Sequence, residues 1–126
     1  MTKVFVDTDV CIDLLSGGKP FNAACGTFIS LADTNKIKIY VSSISFANID
    51  YVLSSQYSTK NSRQILGKFK TLVNEIGVVN KTIDLAISSD FNDFEDAIQY
   101  HCALENNMTI LITGNIRDYK RRSSKY

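Results

Sequence analysis

The stretch that most constrains this chain is Lys3 to Leu15, KVFVDTDVCIDLL, in which an apolar run stops abruptly at three carboxylates, Asp7, Asp9 and Asp13. Val4, Phe5 and Val6 are β-branched or aromatic and stand in an unbroken row. That row predicts a strand covered on both faces, as in the middle of a parallel sheet. Asp7 then falls at the strand's carboxyl end. In an open α/β sheet this is the end where ligands bind, because loops and the positive amino ends of the following helices gather there. Asp9 can cap a helix starting at Val10, with Thr8 shaping the turn. Capping accounts for one of the two acids and leaves Asp7 as a candidate functional group.

The following segments alternate between helical and strand periods. Apolar residues at helical spacing predict a helix over Phe21 to Asp33. Lys36 to Val41, KIKIYV, predicts a strand more exposed at its start than at its end. Ser42, Ser43 and Ser45 can cap a helix from Ile44 to about Ser55, with Ile44, Ala47, Tyr51 and Ser55 along one side and Asn48 beside them. After Ser58, Ile65, Leu66, Phe69, Leu72 and Val73 form the apolar face of another helix. Ile76 to Val79 reads as a third strand, and Thr82 as the cap of a helix running through Ser89. From Asp93 to Asn106, Phe94, Ala97, Ile98, His101 and Leu104 fall along one side of a helix, and Asp93, Asp96 and Tyr100 along a neighbouring one. Thr109 to Thr113 is the fourth strand, closed by Gly114 and Asn115.

Helices separate every pair of strands, so the expected fold class is α/β, a parallel sheet of about four strands flanked by helices. The 126 residues suffice for one core, and a single domain over residues 1–126 is expected. Cys11, Cys25 and Cys102 form no C-x-x-C pair and read as reduced core residues. No apolar run is long enough for a signal peptide or a membrane span, so a cytoplasmic protein with no membrane partner is expected. Fourteen basic against thirteen acidic residues do not mark a nucleic-acid binder by net charge alone.

Distribution of the acids says more. Asp7 ends the first strand, Asp93 and Asp96 begin a helix, and Asn115 and Asp118 follow the last strand. Strand carboxyl ends and the amino ends of following helices share one edge of a parallel sheet, so these groups can converge. Asp93 and Asp96 also suit a helix start in their own right, one as cap and one in the first turn. Gathered carboxylates repel unless a cation lies between them. A hard ion such as Mg²⁺ or Mn²⁺ meets that need, activates a water and stabilises charge on a phosphate being cleaved.

The opening KVFVDTDVCIDLL resembles the start of a PIN domain. VSSISFANIDYVL resembles the strand-to-helix segment that usually carries a Glu, and DFEDAIQYHCALENNMTILITGNIRDY is similar to the carboxyl-terminal half of that family. The resemblance implies a PIN-like α/β/α sandwich and a metal-dependent ribonuclease, often the VapC-type toxin of a toxin–antitoxin pair. It implies Asp7, Asp96 and Asp118 as catalytic, metal-holding carboxylates assisted by Asp93, with Mg²⁺ or Mn²⁺ as cofactor. Thr8, Asn48, Thr113 and Asn115 would line the pocket. Single-stranded RNA would meet Lys120, Arg121 and Arg122, and the partners implied are an antitoxin and a second copy of the chain. Two positions depart from the pattern: the family Glu falls on Asn48, and an often acidic position falls on Asn115. An Asn offers a carbonyl oxygen but no charge and no base. Two alternatives follow, a PIN-fold RNA-binding or regulatory protein with little or no activity, and a phosphatase of the D-x-D type built on Asp7-Thr8-Asp9-Val10.

Overall fold

The computed structural model describes residues 2–15, 30–108 and 110–113. In chain order these form β1 (Thr2–Val6), α1 (Thr8–Leu15), β2 (Ile37–Ser42), α2 (Ser43–Gln56), α3 (Thr59–Leu72), β3 (Asn74–Ile76), α4 (Asn80–Ser88), α5 (Phe94–Glu105) and β4 (Ile110–Ile112). Of the helix expected over Phe21 to Asp33, only residues 30–33 are described, and they are helical. Cys25 lies outside the described residues.

The four strands form one sheet in the order β3-β2-β1-β4, and every pair is parallel. β1 is central, paired from Thr2 with Ile37 on one side and from Val4 with Ile110 on the other. Its alternate side chains enter different cores. Val4 and Val6 pack with Ile39 and Val41 of β2 and with Cys11, Ile49, Leu53 and Phe69 of the layer made by α1, α2 and α3. Phe5, fully buried, packs with Cys102 and Ala103 of α5. A Phe taken wholly out of water contributes roughly 2–3 kcal/mol. The apolar run of β1 therefore has both faces covered, as its composition requires. Cys11 and Cys102 are buried free thiols, and burial pushes both upward, Cys102 to about 11.

Two asparagines end helices. Asn35 and Asn107 adopt left-handed φ of 60° and 55°. At Asn107 the backbone N–H reaches Leu104 and that of Met108 reaches Ala103, while at Asn35 the same pattern joins Asn35 to Ala32 and Lys36 to Leu31. This double bond satisfies the last carbonyls of each helix and turns the chain straight into β2 and β4.

Four sequence expectations shift. β3 starts at Asn74, two residues before the apolar run, and Val78 is not in a strand; its N–H goes to Ser43 Oγ. α4 starts at Asn80, and Thr82, expected as its cap, is instead buried and donates to Glu105 Oε1 over 2.6 Å. α2 buries Ser45, Ile49 and Leu53 rather than the side carrying Ala47 and Tyr51, and Tyr51 is 82% exposed. α5 buries Ala97, Ile98, Gln99, Tyr100, Cys102 and Ala103, while Phe94 and Leu104 face outward. No helix among the described residues is long and apolar enough to cross a membrane.

Candidate active site

Asp7 stands directly after β1 and is 2% exposed. It, not Asp9, is the cap of α1: its Oδ1 accepts the Val10 N–H at 3.1 Å. Its Oδ2 accepts the Thr113 hydroxyl at 2.5 Å, and its own N–H is bound by Ile112 O of β4. Both carboxylate oxygens are thereby fixed. Burial still dominates and pushes the Asp7 carboxyl above its ordinary range, with the Asp9 charge adding to the rise and the Thr113 and Val10 hydrogen bonds opposing it. Asp9 is an exposed residue of the first turn of α1.

At the start of α5, Asp93 is exposed and its Oδ1 accepts the Asp96 N–H at 2.9 Å, so it serves as the helix cap. Asp96 follows in the first turn, half-buried. Between them lies Glu95, which the sequence reading passed over. Asn48 Nδ2 donates to Glu95 Oε2 over 2.6 Å, and the nearby Thr8 hydroxyl favours the charged form of the same carboxylate. Burial pushes Glu95 upward, and the charges acting on it come from Asp9, Asp93 and Asp96, all acids. Two members of the expected pocket wall thus each hold a carboxylate, Asn48 that of Glu95 and Thr113 that of Asp7.

Beneath these acids is a buried polar cluster. Gln99, one turn after Glu95 and 1% exposed, donates through Nε2 toward Thr8 Oγ1 at 3.1 Å, Ser42 Oγ at 3.0 Å and Ser45 Oγ at 3.3 Å. Thr8 and Ser45 hydroxyls lie 2.7 Å apart, and Ser42 and Ser45 3.2 Å apart. Ser42 caps α2 by position but makes no side-chain cap bond, because its hydroxyl belongs to this cluster. Gln99 Oε1 has no hydrogen-bond partner. A lone Gln in the run DAIQYHCALE, one helical turn from Glu95, is the signal that could have found both residues.

Among the described residues, two direct bonds are made at this edge, Thr113 to Asp7 and Asn48 to Glu95, and the charges of Asp9, Asp93 and Asp96 act on Glu95. Asp50 is turned away, accepting from Ser62 Oγ at 2.7 Å and Arg63 Nε at 3.3 Å, where it ties α2 to α3. His101 is half-buried, edge-on to Tyr100, and burial lowers its pKa. Asn115, Asp118, Lys120, Arg121 and Arg122 lie outside the described residues.

The donors are all oxygen, which suits a hard divalent cation and excludes a thiolate or imidazole zinc cage. No three His, Cys, Asp or Glu side chains among the described residues form a group able to hold a metal. The donor chemistry fits an ion held by one or two carboxylates that keeps several waters, as Mg²⁺ does.

A sequence profile of the PIN domain matches residues 3–117. Curated protein sequences give no match. Among solved structures, the fold is similar to that in VapBC2 from Rickettsia felis bound to a DNA fragment from their promoter, with a TM-score of 0.74 and 20% identity over 95% of this chain and 92% of that one. It is similar to VapBC-1 from nontypeable Haemophilus influenzae, with a TM-score of 0.70 and 15% identity over 98% and 94% of the two chains. Mycobacterium tuberculosis VapC20, described as a sarcin-ricin loop cleaving toxin, gives a TM-score of 0.65 and 17% identity over 89% and 91%.

Proposed function

The chain belongs to the PIN domain family, and from that premise we propose that it is a metal-dependent endoribonuclease and the toxin of a toxin–antitoxin pair, acting as one domain over residues 1–126. The observation that carries the reading is Asp7. A carboxylate that is 2% exposed at the carboxyl end of a central strand is costly, because burial disfavours its charge. Two fixed hydrogen bonds aim it, and among the described residues no basic side chain is one of the groups that shift it. A bound cation would stabilise its charged form.

In this reading Asp7, Asp96 and Asp118 hold Mg²⁺ or Mn²⁺. Asp93 assists by capping α5 and so fixing where Asp96 starts, and Asn48, Thr8, Thr113 and Asn115 line the pocket. The ion, when bound, supplies an activated water and charge stabilisation at the scissile phosphate. The chain's own contribution is orientation: the Val10 amide and the Thr113 hydroxyl hold the Asp7 oxygens, so little reorganisation is left for the reaction. Single-stranded RNA would be drawn in by Lys120, Arg121 and Arg122, and binding would weaken steeply with salt. The VapBC complexes and the cleaving toxin among the structural neighbours support an antitoxin partner and a cleaving activity. A homodimer and a cytoplasmic location complete the reading.

One observation favours the second reading, an RNA-binding or regulatory protein without catalysis: no three potential ligands group among the described residues, and Asn48 stands where the family carries Glu. The phosphatase alternative has no support in the family match. Thermal melting with increasing Mn²⁺, together with cleavage of a generic RNA by wild type and Asp7→Asn, decides between the first two. Nuclease function requires a melting temperature that rises with Mn²⁺ and cleavage that Asp7→Asn abolishes. Wild type that cuts no faster than Asp7→Asn leaves the binding protein.

A further inference from the structure

We infer that Tyr51 is a stacking platform for an unpaired base of the RNA, and that the strand's phosphates run from the pocket across α2 to a basic row on α3, Lys60, Arg63 and Lys70. The inference rests on RNA being the substrate, as proposed above. Successive residues of a helix turn by about 100°, so Tyr51 stands about 60° from Asn48 on one side and about 100° from Asp50 on the other. Asn48 reaches Glu95 at the pocket, and Asp50 reaches Ser62 and Arg63 of α3. Ile49 and Leu53 occupy the opposite, buried arc of α2. The exposed arc is therefore the path between the pocket and α3, and Tyr51, 82% exposed, stands in the middle of it. A single aromatic residue on a surface is ordinary, but one placed between an acidic pocket and a basic helix lies where a nucleic acid strand needs it.

The composition of α3 is the second observation. Thr59–Leu72 holds four basic residues and no acid. Lys60, Arg63, Gly67 and Lys70 recur at i, i+3, i+7 and i+10, all exposed, in one row of about 15 Å. Asp50 and Glu75 approach Arg63 and Lys70 to 3.3 Å, and the two basic side chains stay 67% and 60% exposed. Lys60 has no ion-pair partner among the described residues. A Cβ on Gly67 would meet nothing within 4 Å, so packing inside the chain does not call for a glycine that weakens the helix. Its bare backbone leaves the middle of the row open to close approach by a strand. The acids at the pocket repel a phosphate chain, so affinity has to come from positive charge beside them. An exposed ring stacks only on a base that is not paired, which selects a single strand.

The test is binding of a fluorescein-labelled oligouridine of about ten nucleotides to the full chain, read by anisotropy in EDTA over a series of salt concentrations. Tyr51→Ser is expected to bind about tenfold more weakly, and Tyr51→Phe, which keeps the ring, within about twofold of wild type. Gly67→Lys and Gly67→Glu put opposite charges into the row where there is space for either. Both residues favour a helix more than Gly does, so a damaged fold cannot imitate the result. Gly67→Lys is expected to bind more tightly, with the slope of log K against log salt steeper by about 0.7, and Gly67→Glu to bind more weakly. The inference is overturned if Tyr51→Ser binds as tightly as wild type, which leaves a face that takes any polyanion by charge alone. It is overturned equally if the two Gly67 variants bind alike. Cleavage of the same RNA with Mn²⁺ keeps this inference and the nuclease reading apart. Wild type that cuts the RNA while Tyr51→Ser binds it unchanged retains the nuclease and removes the platform. Wild type that binds through Tyr51 and cuts nothing retains the platform and removes the nuclease, and wild type that binds no RNA removes both.

Discussion

Thr113 donates its hydroxyl to Asp7 Oδ2 over 2.5 Å, so the carboxyl ends of β4 and β1 are joined by a side chain as well as by the backbone bond from Asp7 N–H to Ile112 O. Burial nevertheless raises the pKa of the carboxylate so held above its ordinary value of 3.8. A raised acid means that the folded chain binds this proton more tightly than the unfolded chain. The stability Asp7 contributes is then present at low pH and is lost as pH rises from the ordinary carboxylate range through the raised value. Asp7→Asn removes the buried charge and keeps an oxygen for the Val10 N–H. Without metal at pH 7 it should melt a few degrees higher than wild type, about 3–5 °C for each kcal/mol in a domain of this size. Its stability should also change less between about pH 4 and pH 7. Scanning fluorimetry across that range measures both, and a lower melting point at pH 7 contradicts the account.

Gln99 touches three hydroxyls and no acid, so its replacement tests the buried polar cluster by itself. In Gln99→Met the hydroxyls of Thr8, Ser42 and Ser45 can still bond one another, since they already lie within 2.7 and 3.2 Å. The loss of a buried donor should cost roughly 1–3 kcal/mol. Urea unfolding measures this as a lower midpoint with an unchanged slope.

The two sides of α2 make opposite demands. Leu53 is fully buried against the sheet, whereas Tyr51 is 82% exposed. Leu53→Ala should cost about 2–5 kcal/mol, and Tyr51→Ser should stay within about 0.5 kcal/mol of wild type. Equal losses in chemical denaturation would mean that the helix presents a different face to the core.

Local chemistry made much of the fold readable. The run Val4 to Val6 announced a strand covered on both faces, and Val4 and Phe5 do enter opposite cores. Asp93 has the cap role that its place before an apolar helix suggested. What stayed hidden depends on residues distant in sequence. β3 begins with Asn74 and Glu75 because an edge strand pairs on one side only, and Asn74 Nδ2 gains Ile39 O there. Ser45 is buried in α2 only because Thr8, Ser42 and Gln99 meet its hydroxyl, so no helical pattern within 43–56 could favour it over Tyr51. Glu95 was overlooked for the same reason, since its hydrogen-bond partner, Asn48, lies 47 residues away. The expected roles of Asp7 and Asp96 rest on the family resemblance and on the shared sheet edge, which their own spacing cannot provide.

The position of β1 between β2 and β4 governs when this site can exist during synthesis. Asp7 is made long before its partners, because Ile112, which it meets through the backbone, and Thr113, which it meets through the side chain, emerge more than a hundred residues later. Contacts separated so far along a chain form late, after the long loop between them has closed. A growing chain therefore carries Asp7 without its hydroxyl partner until β4 and Thr113 have left the ribosome, and the carboxylate is locked in place only once that strand has added itself to the sheet.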